Sequence, residues 1–119
     1  TKEGLKLTRL SKNELWEGRF QITQGAILLR MEKLDSAYTI LENAKVKVKE
    51  EDKSFLNTQL GYVFERRGQL DRAADYALES LRLAEEFNDK SAMGRAYSDL
   101  SGLFWKNGKY EKGLEYGLL

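Results

Sequence analysis

Two pairs of adjacent carboxylates, Glu50-Glu51 and Glu85-Glu86, and a lysine run, Lys45-Val46-Lys47-Val48-Lys49, are the features of this sequence that could do chemistry. Paired carboxylates can serve as general acid and base or hold a magnesium ion. A lysine run can contact phosphates. Neither arrangement converges. Consecutive helical residues point about 100° apart, so neither carboxylate pair meets on one substrate atom. On a helix the lysines spread round the circumference and run straight into Glu50-Glu51-Asp52, which reads as a solvated helix face. The glycines form no phosphate-cradling loop followed by Lys-Ser/Thr.

The absences narrow the chemistry further. The 119 residues contain no Cys, no His and no Pro. Nucleophile–His triads, thiolate nucleophiles, disulfides and ordinary zinc sites are excluded. No cofactor or metal is expected, and the chain is not expected to be an enzyme. Twenty basic against nineteen acidic side chains give a net charge of +1, so no general attraction to nucleic acid or to an anionic membrane is implied. No apolar run approaches the roughly 18 residues that a spanning helix needs. The chain begins at Thr1 without Met or a signal peptide. It reads as a piece of a longer protein, with a cytoplasmic location expected.

The elements that would position any binding residue come from an internal repeat. Gly25-Ala26-Ile27-Leu28 to Leu34-Asp35-Ser36-Ala37 aligns with Gly61-Tyr62-Val63-Phe64 to Leu70-Asp71-Arg72-Ala73. Both align with Ser101-Gly102-Leu103-Phe104 to Tyr110-Glu111-Lys112-Gly113, at spacings of 36 and then 40 residues. A fourth echo lies at the start, where Leu5-Lys6-Leu7 through Gly18-Arg19 matches Leu81-Arg82-Leu83 through Gly94-Arg95, 76 residues on. Residues 1–12 therefore read as the second helix of a preceding unit. The units are 14–50, 53–87 and a truncated 91–119.

Within each unit the apolar spacing is helical: Phe55, Leu60, Val63 and Phe64, then Leu70, Ala73, Ala77, Leu78, Leu81 and Ala84. Zero Pro permits long uninterrupted helices. Helices are predicted near 2–11, 14–31, 34–50, 53–67, 70–87, 91–107 and 110–119, so the fold class is all-α. Gly68 and Gly108 are placed to end helices in the left-handed conformation, whereas Glu32-Lys33 lacks the glycine. Asp52 and Asn88-Asp89 are expected N-caps. The small residues Gly61, Ala73, Ser101 and Gly113 are expected where antiparallel helices cross closely. Trp16, Phe20, Ile27 and Leu29 form an apolar cluster expected in the core or against a missing repeat.

This spacing resembles the tetratricopeptide repeat, a helix–turn–helix unit of about 34 residues. The match is best at Leu60-Gly61, Phe64, Gly68, Leu70 and Ala73. It continues at Leu100-Ser101, Phe104, Gly108, Tyr110 and Gly113, and at Gln24-Gly25, Leu28, Glu32, Leu34 and Ala37. The family's early aromatic is Gln21, Asn57 and Tyr97 here, and its closing Pro is absent. Long, Pro-free units of this kind are similar to those of bacterial signalling proteins.

The resemblance implies helix–turn–helix repeats stacked as a right-handed α-solenoid, with the first helix of each unit lining a groove for a peptide or partner helix. By motif position the groove-facing candidates of the first unit are Arg19, Ile22, Ala26, Leu29 and Arg30. Those of the second are Phe55, Thr58, Gln59, Tyr62, Glu65 and Arg66, and of the third Arg95, Ser98, Asp99, Gly102, Trp105 and Lys106. Tyr62 and Trp105 could equally pack on an adjacent repeat. Chaperone-adaptor members of the family grip a C-terminal carboxylate with Lys, Asn, Asn, Lys and Arg. The positions for the two Asn hold residues such as Ala26, Tyr62, Thr23 and Gln59, so that clamp is not expected.

The expected function is a protein- or peptide-binding scaffold, with no nucleic-acid contact and no membrane. Two alternatives are a peptide-sensing regulatory module of a larger bacterial signalling protein or transcriptional regulator, and a structural repeat that self-associates through exposed solenoid ends.

Overall fold

The computed structural model describes residues 12–118, and the helix expected over 2–11 lies outside the described residues. Six α-helices follow one another: α1 (Lys12–Arg30), α2 (Leu34–Ala44), α3 (Lys53–Arg66), α4 (Leu70–Glu86), α5 (Lys90–Lys106) and α6 (Tyr110–Gly117). The described residues contain no strand. The all-α class is therefore the observed one. Among the described residues no helix is long and apolar enough to cross a membrane.

One boundary departs from expectation. The second helix was expected to run to residue 50, but α2 ends at Ala44, and Glu50–Asp52 forms a short 3-10 turn. Lys45 and Lys49 would stack as like charges one turn apart on a continued helix, and the two valines between them are weak helix formers. The chain instead unwinds through Lys45 N–H to the Glu42 carbonyl at 3.2 Å and Lys47 N–H to the Ala44 carbonyl at 3.0 Å. That path buries Val48 and leaves Val46 exposed.

Four helix ends close in the same way. Lys33, Gln69, Asp89 and Lys109 donate their backbone N–H to the carbonyls of Leu28, Phe64, Ala84 and Phe104, at 2.8–2.9 Å. This bond needs a left-handed residue just before the donor. Gly68 (φ 78°) and Gly108 (φ 75°) supply it freely, whereas Glu32 (φ 60°) and Asn88 (φ 52°) adopt it with side chains in place. Glu32 is thus the solution to the turn without glycine. At the other ends, Asp89 caps α5 by accepting the Ala92 N–H at 3.1 Å. Asp52 makes no capping bond, contrary to expectation. The 3-10 turn leads directly into α3, and the Asp52 carboxylate faces Arg19 on α1 at 3.4 Å.

The helices pair as antiparallel hairpins, α1–α2, α3–α4 and α5–α6, each packed on the next. Small residues sit at the crossings. A methyl group added to Gly61 would lie 3.4 Å from the Ala73 carbonyl oxygen, and Ser101 Oγ donates to the Gly113 carbonyl at 2.7 Å. In the first hairpin Gly25 is tighter still, because an added Cβ would lie 2.6 Å from the fully buried Leu41. Beside the later crossings, an aromatic pair recurs 40 residues apart. Phe64 stacks on Tyr76 at 5.3 Å under Arg72, and Phe104 stacks on Tyr116 at 5.6 Å under Lys112.

Two buried clusters span the hairpin boundaries. One joins Ile22, Leu29, Ala37, Leu41, Leu56, Leu60 and Val63, and the other joins Phe64, Ala73, Ala77, Leu81, Ala96, Leu100 and Phe104. Burying each large side chain contributes about 1.5–3 kcal/mol. Of the cluster around Trp16 expected in the core or against a missing repeat, only Leu29 is buried among the described residues. Trp16, Phe20 and Ile27 are exposed because none of the described helices covers that side of α1. Gln21 has its amide oxygen buried without a hydrogen-bond partner among the described residues.

Candidate functional site

The first helices of the three hairpins, α1, α3 and α5, touch in that order, so residues from all three can meet on one face. Their mutual contacts recur in register. Arg66 at the end of α3 donates to the Leu29 carbonyl of α1 at 3.0 Å and pairs with Glu32. One hairpin further on, Lys106 at the end of α5 pairs with Glu65 of α3 at 2.9 Å. Lys106 lies 40 residues after Arg66, and Glu65 lies 36 after Leu29, the two spacings of the sequence repeat. The first turns of the second helices repeat a link of their own. Asp35 accepts from Arg67 at 2.6 Å, and Asp71 accepts from Asn107 at 2.9 Å. Neighbouring hairpins are thus joined twice at equivalent positions, through a backbone carbonyl at Leu29 and a carboxylate at Glu65. Each exposed ion pair is worth only about 0–1 kcal/mol, so its role is register more than strength.

At the end of the face where α3 and α5 begin, Arg19 of α1, Phe55 of α3 and Arg95 of α5 border a single depression of about 300 Å³. Three of the expected groove residues, one from each first helix, therefore share one hollow. Asp52 and Asp89 also border it. Sequence reasoning treated those two only as caps. Their place at the starts of α3 and α5, the very reason for reading them as caps, also puts their carboxylates at the edge of this face. The hollow offers two guanidinium groups, an aromatic ring and three carboxylates, those of Glu51, Asp52 and Asp89. Such a surface can receive an extended segment through charge-assisted hydrogen bonds and apolar contact.

Further along, Tyr62 of α3 donates its hydroxyl to Asp99 of α5, at 3.0 and 3.2 Å to the two carboxylate oxygens. Both side chains are half-buried beside a cavity of about 20 Å³ that Thr58, Gly61 and Glu65 also line. Burial pushes the Asp99 carboxyl above the ordinary carboxylate range, and the nearby Glu65 charge adds to this. The Tyr62 hydrogen bond and the Arg95 charge pull the other way. Burial likewise raises the Tyr62 phenol, with the Asp99 charge reinforcing it, so Tyr62 stays protonated as the donor. Thr58 is buried in a hydroxyl cluster. Its Oγ1 lies 2.7 Å from Ser80 Oγ and donates to the Ser54 carbonyl at 3.0 Å.

The remaining candidates do not join the hollow. Ile22 is 0% exposed and Leu29 is buried with it, so both are core rather than contact residues. Here α1 turns that apolar side to α2 and α3. Gln59 is buried, Ala26 is half-buried, and Arg30, Ser98 and Gly102 are exposed on their helices. Trp105 leans onto Tyr110 of its own hairpin, with ring centres 4.8 Å apart, and its indole covers Gly113. It packs on α6.

Comparison with known proteins adds no relative. The chain matches no protein-family model, no curated protein and no solved structure.

Proposed function

We propose that this chain is a non-catalytic scaffold of tetratricopeptide-like repeats, stacked as a right-handed solenoid, that binds a protein or peptide segment along the face of its first helices. The observation that carries the reading is the meeting of Arg19, Phe55 and Arg95, one from each first helix, round one hollow. The recurring links between hairpins and the elongated dimensions of 51 × 32 × 20 Å support the stacked arrangement. The missing His and Cys suit a surface that binds rather than reacts.

A peptide-display selection against the chain, followed by calorimetric titration of the enriched peptides, tests this. Phe55→Ala and Arg95→Ala should each weaken binding at least about tenfold, as central interface residues do. Leu114→Ala, on the exposed side of α6, should leave it unchanged. Enriched peptides that bind both α3 and α5 variants as tightly as the parent would rule out this face.

A further inference from the structure

On the face of the first helices, Asp99 is a half-buried carboxylate without a cation. Its hydrogen-bond partner is the Tyr62 hydroxyl, and it forms no ion pair among the described residues. A carboxylate has about four lone-pair sites, and the single Tyr62 proton engages only part of them. Glu65 of α3 lines the same small cavity. Its Oε2 accepts from Lys106 at 2.9 Å, and its Oε1 makes no hydrogen bond among the described residues. The Tyr62 oxygen, with its proton turned to Asp99, keeps a lone pair. Three acceptor groups, two of them charged, therefore border one space. Burial and then the Glu65 charge raise the Asp99 carboxyl, against the pull of Tyr62 and Arg95. The negative charge here is only partly balanced.

The cavity has room for about 20 Å³, enough for one group the size of a water molecule. Ala73, Ala77 and Leu103 supply apolar wall, against which a methylene stem can lie. The approach along α5 is open. Gly102 takes the place in α5 that Tyr62 takes in α3, and an added Cβ there would meet nothing within 4 Å. An ammonium group is compact and carries three donors, whereas a guanidinium is a flat fork several atoms wide. We propose that this cavity is a lysine subsite of the binding face. The ammonium of a partner lysine enters it and donates to Asp99, to Glu65 and to the Tyr62 oxygen. Arginine is too wide to enter, and an uncharged chain leaves both carboxylates without a cation. This rests on the binding face proposed above and names one side chain of its partner.

Two experiments separate the subsite from the face that holds it. In the first, each lysine of a display-enriched peptide is replaced in turn by arginine and by norleucine, which keeps the stem and loses the charge. One lysine should be required, both replacements weakening binding at least about tenfold, as loss of a charged hydrogen bond does. Asp99→Asn should weaken the lysine peptide about as much and leave the norleucine peptide unchanged. Peptides that depend on Phe55 and Arg95 but need no lysine would overturn the subsite and leave the face standing. So would a required lysine that is indifferent to Asp99→Asn.

The second experiment needs no peptide, so it gives an answer even where none is enriched. Butylammonium chloride is titrated into the full 119-residue chain while the Asp99 carboxyl carbon is followed by NMR. The signal should shift saturably, and the shift should shrink in Glu65→Gln. Butanol and butylguanidinium chloride should produce no saturable shift. An equal response to potassium chloride would assign the cavity to a free inorganic ion and overturn the proposal, as would no response to butylammonium.

Discussion

Tyr62 on α3 holds Asp99 on α5 by a hydrogen bond to its carboxylate, at 3.0 Å to the nearer oxygen. The bond joins the first helices of two successive hairpins, and it fixes a half-buried negative charge close to Glu65 and Arg95. Sequence reasoning placed both residues on the binding face, each as a contact for a partner. Their partner within the described structure is each other.

The charge on Asp99 makes stability depend on pH. Burial raises its carboxyl above the ordinary value of 3.8. The stability contributed by the bound proton is fully present below the unfolded value and is lost as the pH rises through the folded value. Asp99→Asn keeps an acceptor for the Tyr62 hydroxyl and removes the charge. Its urea midpoint should exceed that of the parent at pH 7, and the advantage should shrink by pH 3. An advantage equal at both pH values, or larger at pH 3, would contradict this assignment.

Two glycines in helices should respond oppositely to the same substitution. At Gly25 a Cβ would press on Leu41 Cγ and Cδ2 at 2.6 Å, inside the core of the first hairpin. Gly25→Ala should lose about 1–3 kcal/mol through overpacking, in spite of the better helix propensity of Ala. At Gly94 an added Cβ would meet nothing within 4 Å. Gly94→Ala should gain about 0.5–1 kcal/mol. Chemical denaturation of the two variants checks the pair, and equal signs would show that the α1–α2 crossing is looser than described.

Ser80 ties α4 to α3 through buried hydroxyls. It donates to the Ser54 carbonyl at 2.9 Å, and its Oγ lies 2.7 Å from Thr58 Oγ1. Ser80→Ala removes both contacts and should cost about 1–3 kcal/mol. Ser91→Ala, at an exposed position on α5, serves as the control and should change the denaturation midpoint little.

Much of this architecture is legible in the sequence because it depends on local periodicity. The apolar spacing from Leu70 to Ala84 placed α4 within a residue of its observed end, and Gly68 and Gly108 marked turns that use their left-handed freedom. Pairwise placement was legible where small residues repeat: Gly61 does meet Ala73, and Ser101 does meet Gly113. The end of α2 was not, because the repulsion of Lys45 and Lys49 competes with an apolar pattern that still looks helical through Val48. The face itself was legible only in part. Ile22 and Arg19 are three residues apart on one helix, and only the packing of α2 and α3 decides that Ile22 is buried while Arg19 borders the hollow. For Trp105 the sequence left groove contact and packing open, and the indole lies over Gly113, where the missing side chain leaves room for it.

The proposed function requires that partners bind across α1, α3 and α5 at the hollow. Residue-resolved NMR of the labelled chain, titrated with a peptide enriched by display, tests it most directly. The largest shifts should fall on Arg19, Phe55 and Arg95 together. Shifts confined to Trp16, Ile27 and Met31, or to Tyr110 and Leu114 of α6, would place binding elsewhere and contradict it.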